Sequence, residues 1–187
     1  AARARVHGGN EYEAGGERDP RSLIIKANVG VIYYFGRQYD HAIEELQKVV
    51  AEKPEFAVAH WGLGLCYEQK GIYEEALAQF ERAATLTRRG TNALASLGHA
   101  YGRAGRKREA QKVLEELKQR SGQRNIEYQI ALVYVGLGRK EQALDWLKKA
   151  YEKRSTLLTY LKMDPRFDPL RDHPHFQELL RRMNFPE

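Results

Sequence analysis

Hydrophobic positions along the chain recur with two periods, one within short stretches and one between them. Within stretches of about a dozen residues, apolar side chains return every three to four positions, which is typical of amphipathic helices. The same order of small, aromatic and apolar residues then returns after 34, 34 and 33 residues, starting from Val29, Leu63, Leu97 and Ile130. Four units in register predict a helical repeat protein.

Each unit carries small residues and a tyrosine at matching positions. A small residue suits a close approach of two helix backbones, and the tyrosine lies one helical turn further on. The first small residues are Gly30, Gly64, Gly98 and Ala131, the tyrosines are Tyr33, Tyr67, Tyr101 and Tyr134, and the second small residues are Ala42, Ala76, Ala110 and Ala143. The turn glycines are Gly71, Gly105 and Gly138, with Gly36 one place early in the first unit. Each unit therefore predicts a helix hairpin, which must stack on its neighbours to bury its apolar face.

This pattern resembles the tetratricopeptide repeat family, in which Leu-Gly-x-x-Tyr precedes Ala-x-x-x-Phe and a closing proline. The closing proline is present at Pro54, and Pro20 lies 34 residues before it. The family's tryptophan is replaced by Lys26, His60, Leu94 and Glu127. Over roughly residues 20–155, the resemblance implies an all-α fold: a right-handed superhelical solenoid of helix-turn-helix repeats with a C-terminal helical cap.

The repeat register divides the chain into six parts. We predict an N-terminal extension that is a remnant of a preceding repeat (1–20), four repeats (21–56, 57–90, 91–123 and 124–155) and a capping segment (156–187). In the capping segment, an apolar helix is predicted from Thr156 to Leu161, and Asp164 before a proline is a helix-start signal. A last amphipathic helix is predicted from about Pro174 to Met183, and we expect it to cover the end of the array.

The tail from Leu161 to Met183 also resembles the region that closes repeat arrays in bacterial multidomain signalling proteins. The resemblance implies an alternative function, as the regulatory segment of a larger protein with a kinase, a cyclase or a winged-helix transcription regulator. The 187 residues themselves contain no Gly-rich phosphate loop, kinase catalytic-loop motif or DNA-reading helix.

The face of each first helix that is not used for stacking is predicted to line the concave side of the solenoid. The predicted groove residues are Asn28, Val31, Tyr34, Phe35, Trp61, Leu65, Glu68, Asn92, His99, Arg103, Tyr128 and Leu132. Aromatic and arginine anchors beside amide side chains are typical of peptide-binding grooves. The sequence therefore predicts a scaffold that binds a peptide or helix of another protein. The alternative is that the aromatic residues pack against a missing preceding repeat or fill a tight superhelix.

Family members that hold the acidic C-terminal tails of heat-shock chaperones use Lys, Asn and Arg side chains on this concave face. The matching positions here are Ala27, Val31, Gly62, Asn92 and Ser96. These residues cannot form a carboxylate clamp, so the comparison argues against an adaptor for chaperone tails.

Charge is concentrated in the third unit. The net charge is +6, but residues 88–124 contain ten Lys and Arg against three Glu, so the rest of the chain is close to neutral. A basic patch is predicted at Arg103, Arg106, Lys107 and Arg108. We interpret it as a solvated turn, with contact to an acidic protein as the next alternative. Nucleic acid binding comes last, because stacking aromatic residues are not interleaved with the basic ones.

Residues with reactive or metal-binding side chains are few and scattered. Cys66 is the only cysteine, which excludes an internal disulfide and a cysteine-based zinc site, and it lies in an apolar helix pattern. His173 and His175 lack a third ligand nearby in the sequence. We therefore predict no enzyme activity, no cofactor and no metal.

Compartment and assembly are less constrained by the sequence. No apolar stretch approaches the roughly 20 residues of a membrane-spanning helix. We predict a cytoplasmic bacterial protein, with a periplasmic location left open if an anchor lies upstream. A homo-oligomer formed through an exposed face of the first repeat is also left open.

Overall fold

The computed structural model describes residues 20–120 and 126–183, and the predicted N-terminal extension lies outside these ranges except for Pro20. The described part of the chain is all-α, with nine α-helices, two 3₁₀ helices and no strand. The helices are α1 (Pro20–Phe35), α2 (Tyr39–Glu52), α3 (Ala57–Gln69), α4 (Tyr73–Leu86), α5 (Thr91–Arg103), α6 (Lys107–Arg120), α7 (Glu127–Gly136), α8 (Lys140–Glu152), η1 (Thr156–Tyr160), η2 (Pro165–Leu170) and α9 (Pro174–Arg182), where η marks a 3₁₀ helix.

The first eight helices pack as four hairpins that stack on one another, as expected for a helical repeat solenoid. Small residues permit the close packing within a hairpin. A Cβ atom added to Gly64 would lie 2.7 Å from the ring of Phe80 on the paired helix, so a larger residue would force that ring out of the core. The small residue thus makes room for an aromatic ring of the paired helix, and not for its backbone as predicted.

The spacing between first helices differs along the stack. A Cβ atom added to Gly102 of α5 would lie 2.4 Å from the backbone carbonyl carbon of Gly136 in α7, so these two helices touch backbone to backbone. Helices α3 and α5 make few close backbone contacts and are bridged by side chains, including a 2.9 Å hydrogen bond from Trp61 Nε1 to Ser96 Oγ. This wider spacing leaves room on the concave face.

The turn inside the first unit departs from the predicted glycine pattern. Gly71, Gly105 and Gly138 adopt positive φ angles of 75°, 76° and 72°, which glycine accommodates without steric cost. The equivalent residue of the first unit is Arg37, with φ of 60°, and not Gly36. A non-glycine residue in this conformation costs roughly 1–2 kcal/mol, and Arg88, Arg89 and Arg154 also adopt it, with φ of 50°, 58° and 53°.

The C-terminal residues form two kinds of structure. Helix α9 packs on α8 through buried Phe176 and Leu179, which confirms the predicted amphipathic helix. Asp164 accepts a hydrogen bond of 3.0 Å from the backbone N–H of Arg166, which confirms the helix-start signal, although the helix that follows is the 3₁₀ helix η2. The helix predicted from Thr156 is also a short 3₁₀ helix.

Candidate functional site

Residues 156–171, called the tail segment below, lie across the concave face and do not only cover the last repeat. The ring of Tyr160 stacks on Phe35 of α1 with 5.6 Å between ring centroids. The guanidinium of Arg37 donates two hydrogen bonds, of 2.7 and 2.9 Å, to the carboxylate of Asp168. The tail segment therefore joins the C-terminal end of the array to its first hairpin.

A buried ion pair anchors the middle of the tail segment. Asp164 and Arg166 are only 1% and 6% exposed, and Arg166 Nη2 lies 2.6 Å from Asp164 Oδ2. The hydroxyls of Tyr34 and Tyr128 donate to the same carboxylate at 3.3 and 3.2 Å, and Arg166 Nη1 donates to Ser96 at 3.0 Å. The pair therefore connects side chains from the first, third and fourth hairpins.

The electrostatics of this cluster keep both members of the pair charged. Burial alone would raise the pKa of Asp164, but the charge and hydrogen bonds of Arg166 lower this pKa below its ordinary value. Burial likewise opposes the charge of Arg166, and the neighbouring Asp164 carboxylate raises the pKa of that guanidinium. Burial, followed by the charge of Asp164, raises the pKa of Tyr34 and of Tyr128 well above 10.0, so both hydroxyls keep the protons that they donate.

Beside this cluster the concave face contains an open pocket of about 280 Å³. Helices α1, α3, α5 and α7 form most of its wall, and the tail segment closes one side with Leu157, Tyr160 and the buried pair. Seven of the predicted groove residues line it: Asn28, Val31, Phe35, Trp61, Asn92, Tyr128 and Leu132. Among the described residues that line it, the only charged ones are Asp164 and Arg166, and they neutralise each other.

Six of the predicted groove residues are buried, so they do not form an exposed ligand-binding surface as predicted. Tyr34 and Leu65 are fully buried in the core of the first two hairpins. Glu68 and His99 are also buried and pair with each other, with 2.7 Å between Glu68 Oε1 and His99 Nδ1. Tyr128 and Leu132 are only 5% and 2% exposed, although each still borders the first pocket. The sequence places these residues on the concave side of their helices, but other side chains of the protein cover them there.

The tail segment divides the predicted groove into two pockets. Arg103 lines a second and more polar pocket of about 390 Å³, together with the edges of Glu68 and His99 and with Pro165 and Asp168 of the tail segment. The first pocket contains neither Arg103 nor the His99 pair. The twelve predicted groove residues therefore do not form one continuous surface.

The predicted basic patch is exposed but partly neutralised. All four of its members, Arg103, Arg106, Lys107 and Arg108, are exposed. Arg106 lies 3.6 Å from Glu74 and 3.5 Å from Glu109, and its guanidinium stands over the ring of Tyr101 at 5.0 Å from the centroid. The patch flanks the second pocket through Arg103 and lies away from the first.

The described residues with reactive side chains are engaged in packing or hydrogen bonds. Burial raises the pKa of the Cys66 thiol to about 12, so this sulfur is not ionised near neutral pH. His173 Nδ1 accepts a hydrogen bond from the backbone N–H of His175 at the start of α9. In residues 20–120 and 126–183, no group of three His, Cys, Asp or Glu side chains is placed to hold a metal ion. No helix in these ranges is long and apolar enough to cross a membrane.

Sequence reasoning missed the contribution of the tail segment to the site. Asp164 was recognised only as a helix start, and Arg166, Leu157 and Tyr160 were not assigned to the groove. A usable signal is present, because Asp164 and Asp168, each followed by a proline, flank Arg166 in a short segment that is otherwise partly apolar. Charged residues at such positions need buried partners if the segment packs against a protein surface.

Comparisons with known proteins agree with this architecture. A sequence model described as "Tetratricopeptide repeat" matches residues 30–93 and 96–156. A comparison with curated proteins finds no significant match.

Solved structures of repeat proteins resemble the chain. The crystal structure of MamA shares 27% identity, with a TM-score of 0.52, over 76% of this chain and 84% of MamA. PilF of Pseudomonas aeruginosa shares 18% identity, with a TM-score of 0.59, over 89% of this chain and 78% of PilF. YrrB, described as a tetratricopeptide repeat protein with an unusual peptide-binding site, shares 16% identity, with a TM-score of 0.50, over 85% of this chain and 92% of YrrB. The latter two likenesses concern the fold alone.

Proposed function

Since the chain belongs to the tetratricopeptide repeat family, we propose that it is a non-catalytic scaffold that binds a peptide or helix of a partner protein on its concave face. Solenoids of this kind use their concave surfaces for binding. The observation that carries the proposal is the neutral, mainly apolar pocket that the tail segment leaves open beside Trp61.

The apolar wall of the pocket suits an anchoring side chain. Phe35, Trp61 and Tyr160 surround it together with aliphatic residues, and aromatic side chains bury large areas on contact. Pockets for drug-sized ligands measure about 300–1,000 Å³, so a pocket of 280 Å³ lies just below this range. We therefore expect it to take one or two apolar side chains of a peptide, and not a long stretch of chain.

The polar residues at the rim suit a peptide backbone. Asn28 is exposed, and Gln129 Nε2 donates to Asn92 Oδ1 at 2.9 Å. Gln129 Oε1 has no hydrogen-bond partner among the described residues. A small movement of this side chain would let the oxygen accept a peptide N–H, and such a bond would remove the cost of an unpaired buried acceptor.

The charge distribution argues against an acidic ligand in this pocket. In the part of the chain that the structure describes, Arg166 is the one cation on its wall, and it is already paired with Asp164. A ligand carboxylate would have to be desolvated there without a free cation to compensate it. The proposed ligand is therefore anchored by apolar contacts.

The proposal is tested with a phage-displayed peptide library selected on the purified protein, followed by calorimetric titration of the selected peptides. Trp61→Ala removes an aromatic wall but also a core contact, so Val31→Arg and Asn28→Arg serve as the main variants. Each places an arginine at the pocket and leaves the fully buried residues unchanged. We expect each to weaken binding by about tenfold or more, which corresponds to about 1.4 kcal/mol. Ala51→Arg, on the exposed outer face of α2, is the matched control and should bind with unchanged affinity.

Unchanged affinity of the selected peptides for both Val31→Arg and Asn28→Arg would overturn the proposal.

A parallel titration with short single-stranded DNA examines the basic patch. Salt-sensitive DNA binding that is lost in the double variant Arg106→Ala/Arg108→Ala, without any peptide selected at the pocket, would replace peptide binding by nucleic-acid binding.

A further inference from the structure

The second pocket on the concave face differs in charge from the first. The first pocket is mainly apolar, and the two charges on its wall neutralise each other. The second pocket, of about 390 Å³, is lined by several charged side chains and an imidazole from the repeats and the tail segment. In the described part of the chain these are Glu68, Lys70, His99, Arg103, Arg166 and Asp168. Which of them are already paired decides which ligand charge the pocket accepts.

Both carboxylates of the second pocket already have partners. Asp168 accepts two hydrogen bonds from Arg37 and one of 2.5 Å from Arg171. Glu68 Oε1 lies 2.7 Å from His99 Nδ1, whereas Glu68 Oε2 has no hydrogen-bond partner among the described residues. A cationic ligand would therefore compete with two arginines for Asp168, and it would find a single unpartnered carboxylate oxygen on the buried Glu68.

The cations of the second pocket are paired unequally. Lys70 is bound to Asp40, and Arg166 is bound to Asp164. Arg103 is exposed at the end of α5, and it forms no ion pair or hydrogen bond with another side chain in the part of the chain that the structure describes. The uncompensated charge on the pocket wall is therefore positive and lies on Arg103.

The turn that follows Arg103 adds further positive charge. Arg106 is partly neutralised by nearby glutamates, but Lys107 and Arg108 are exposed and have no ion-pair partner among the described residues. A cluster of exposed cations attracts anions before contact is made. The charge around the entrance of the pocket therefore favours an anionic ligand.

The buried part of the pocket offers such a ligand a second group. His99 is only 2% exposed, and its Nε2 has no hydrogen-bond partner among the described residues. His99 and Arg103 lie one helical turn apart on the same face of α5, where Cβ atoms are about 5–6 Å apart, so both can reach one ligand group. A proton on Nε2 makes the imidazole a donor on both sides, and Glu68 then balances its charge.

The position of the second pocket favours a protein as the source of the anion. Arg166 lines both pockets, so the two adjoin on the concave face. A partner chain that places an apolar side chain in the first pocket therefore brings its neighbouring residues to the second. A nucleic acid would instead place phosphates beside the apolar wall of the first pocket, where no unpaired cation of the described residues compensates them.

We propose that the second pocket binds the carboxylate of an acidic side chain, Asp or Glu, of a partner protein, through Arg103 and His99. The inference rests on the proposed function only in assigning this carboxylate to a protein. The ligand then has two parts with different chemistry: an apolar anchor for the first pocket and an acidic residue for the second.

Fluorescence anisotropy with a labelled hexaglutamate peptide at low ionic strength tests the second pocket. Arg103→Gln should weaken binding by about tenfold, because it removes a charged hydrogen-bond donor from the pocket. Arg82→Gln is the matched control, because it removes an exposed arginine from the outer helix α4 and should bind as the wild type does. Far-UV circular dichroism checks that both variants remain folded.

Two further probes of matched length test the sign of the charge and the class of ligand. A hexalysine peptide and a single-stranded oligothymidylate should both bind more weakly than hexaglutamate. Tighter binding of either probe, equal weakening of hexaglutamate binding by Arg103→Gln and Arg82→Gln, or no binding of hexaglutamate would overturn the proposal.

The two proposals fail separately. If hexaglutamate binding depends on Arg103 but the library yields no peptide for the first pocket, the second pocket stands and the proposed function is lost. If apolar peptides bind the first pocket but hexaglutamate does not bind, the proposed function stands and the inference on the second pocket is lost.

Discussion

The concave face has a closed part and an open part, and the two differ in their chemistry. In the closed part, the tail segment inserts Asp164 and Arg166 among side chains of three hairpins, and every contact there is intramolecular. In the open part, beside Trp61, the wall is aromatic, aliphatic and amide, and it bounds a pocket. A concave repeat surface is thus not a binding site throughout, because the chain itself can occupy part of it.

The closed part also explains the shape of the open part. The tail segment contributes Leu157 and Tyr160 to the pocket wall, and the backbone N–H of Asp164 donates to the carbonyl oxygen of Tyr160 at 2.8 Å. The closed part therefore forms one side of the pocket. Three experiments test this difference between the closed and the open part. The largest loss of unfolding free energy is expected where the charge is most deeply buried.

Asp164→Asn should cause the largest loss of stability. The change keeps the shape of the side chain but leaves Arg166 buried without a counter-charge, which typically costs about 3–5 kcal/mol. We expect a decrease of this size in the free energy of unfolding, measured by urea denaturation. Asp168→Asn is the control, because it removes only partly exposed ion pairs, with Arg37 and Arg171, and each such pair contributes about 0–1 kcal/mol. Equal losses in the two variants would show that the buried pair does not anchor the tail segment.

The pH dependence of stability should have two limits set by the same cluster. The pKa of Asp164 is lowered in the folded protein, so its contribution is present above the ordinary pKa of about 3.9 and is lost as the pH falls through the lower folded value. The pKa values of Tyr34 and Tyr128 are raised, so their contribution is complete below about pH 10 and is lost as the pH rises further.

Urea denaturation at a series of pH values measures both limits. In Asp164→Asn the free energy of unfolding should decrease less at acid pH than in the wild type, because a titrating carboxylate has been removed from the cluster. In Tyr34→Phe the free energy of unfolding should decrease less at alkaline pH than in the wild type. An equal loss of unfolding free energy at acid pH in Asp164→Asn and in the wild type would contradict the assignment of this loss to Asp164.

The smallest of the three effects concerns Arg37, which joins the tail segment to the first hairpin. Arg37→Ala and Arg37→Gly both remove the ion pair with Asp168, but only glycine relieves the positive φ angle of 60°. The glycine variant should therefore be more stable than the alanine variant by about 1–2 kcal/mol. Gly71→Ala, at the equivalent turn with φ of 75°, should be destabilised by a similar amount. Equal stability of the two Arg37 variants would mean that the turn is not strained.

The sequence predicted the repeats well because their signal is local and periodic. The second helices begin at Tyr39, Tyr73, Lys107 and Lys140, which reproduces the spacings of 34, 34 and 33 residues. The turn residues followed the same register except in the first unit, where Arg37 occupies the glycine position and binds Asp168, 131 residues away along the chain. The role in a larger bacterial signalling protein stays a prediction, and so do the compartment and the identity of the partner.

The candidate site was predicted only in part. Trp61 and Asn92 lie on the concave side and line the pocket, since helical periodicity decides which side of a helix a residue occupies. The same periodicity placed Tyr34 and His99 on the concave side, but it could not show that other parts of the protein cover them. Exposure depends on every segment that packs nearby, and the tail segment lies far away in the sequence.

The sequence by itself determined the helices, their pairing into hairpins and the stacking of the hairpins, because each of these depends on residues within about one repeat of each other. Only the tertiary structure decided which part of the concave face is closed. The buried contacts of Asp164 with Tyr34, 130 residues away, and with Tyr128, 36 residues away, are single hydrogen bonds between non-repeating residues. No periodic pattern encodes such contacts, so they become visible only when the chain is folded.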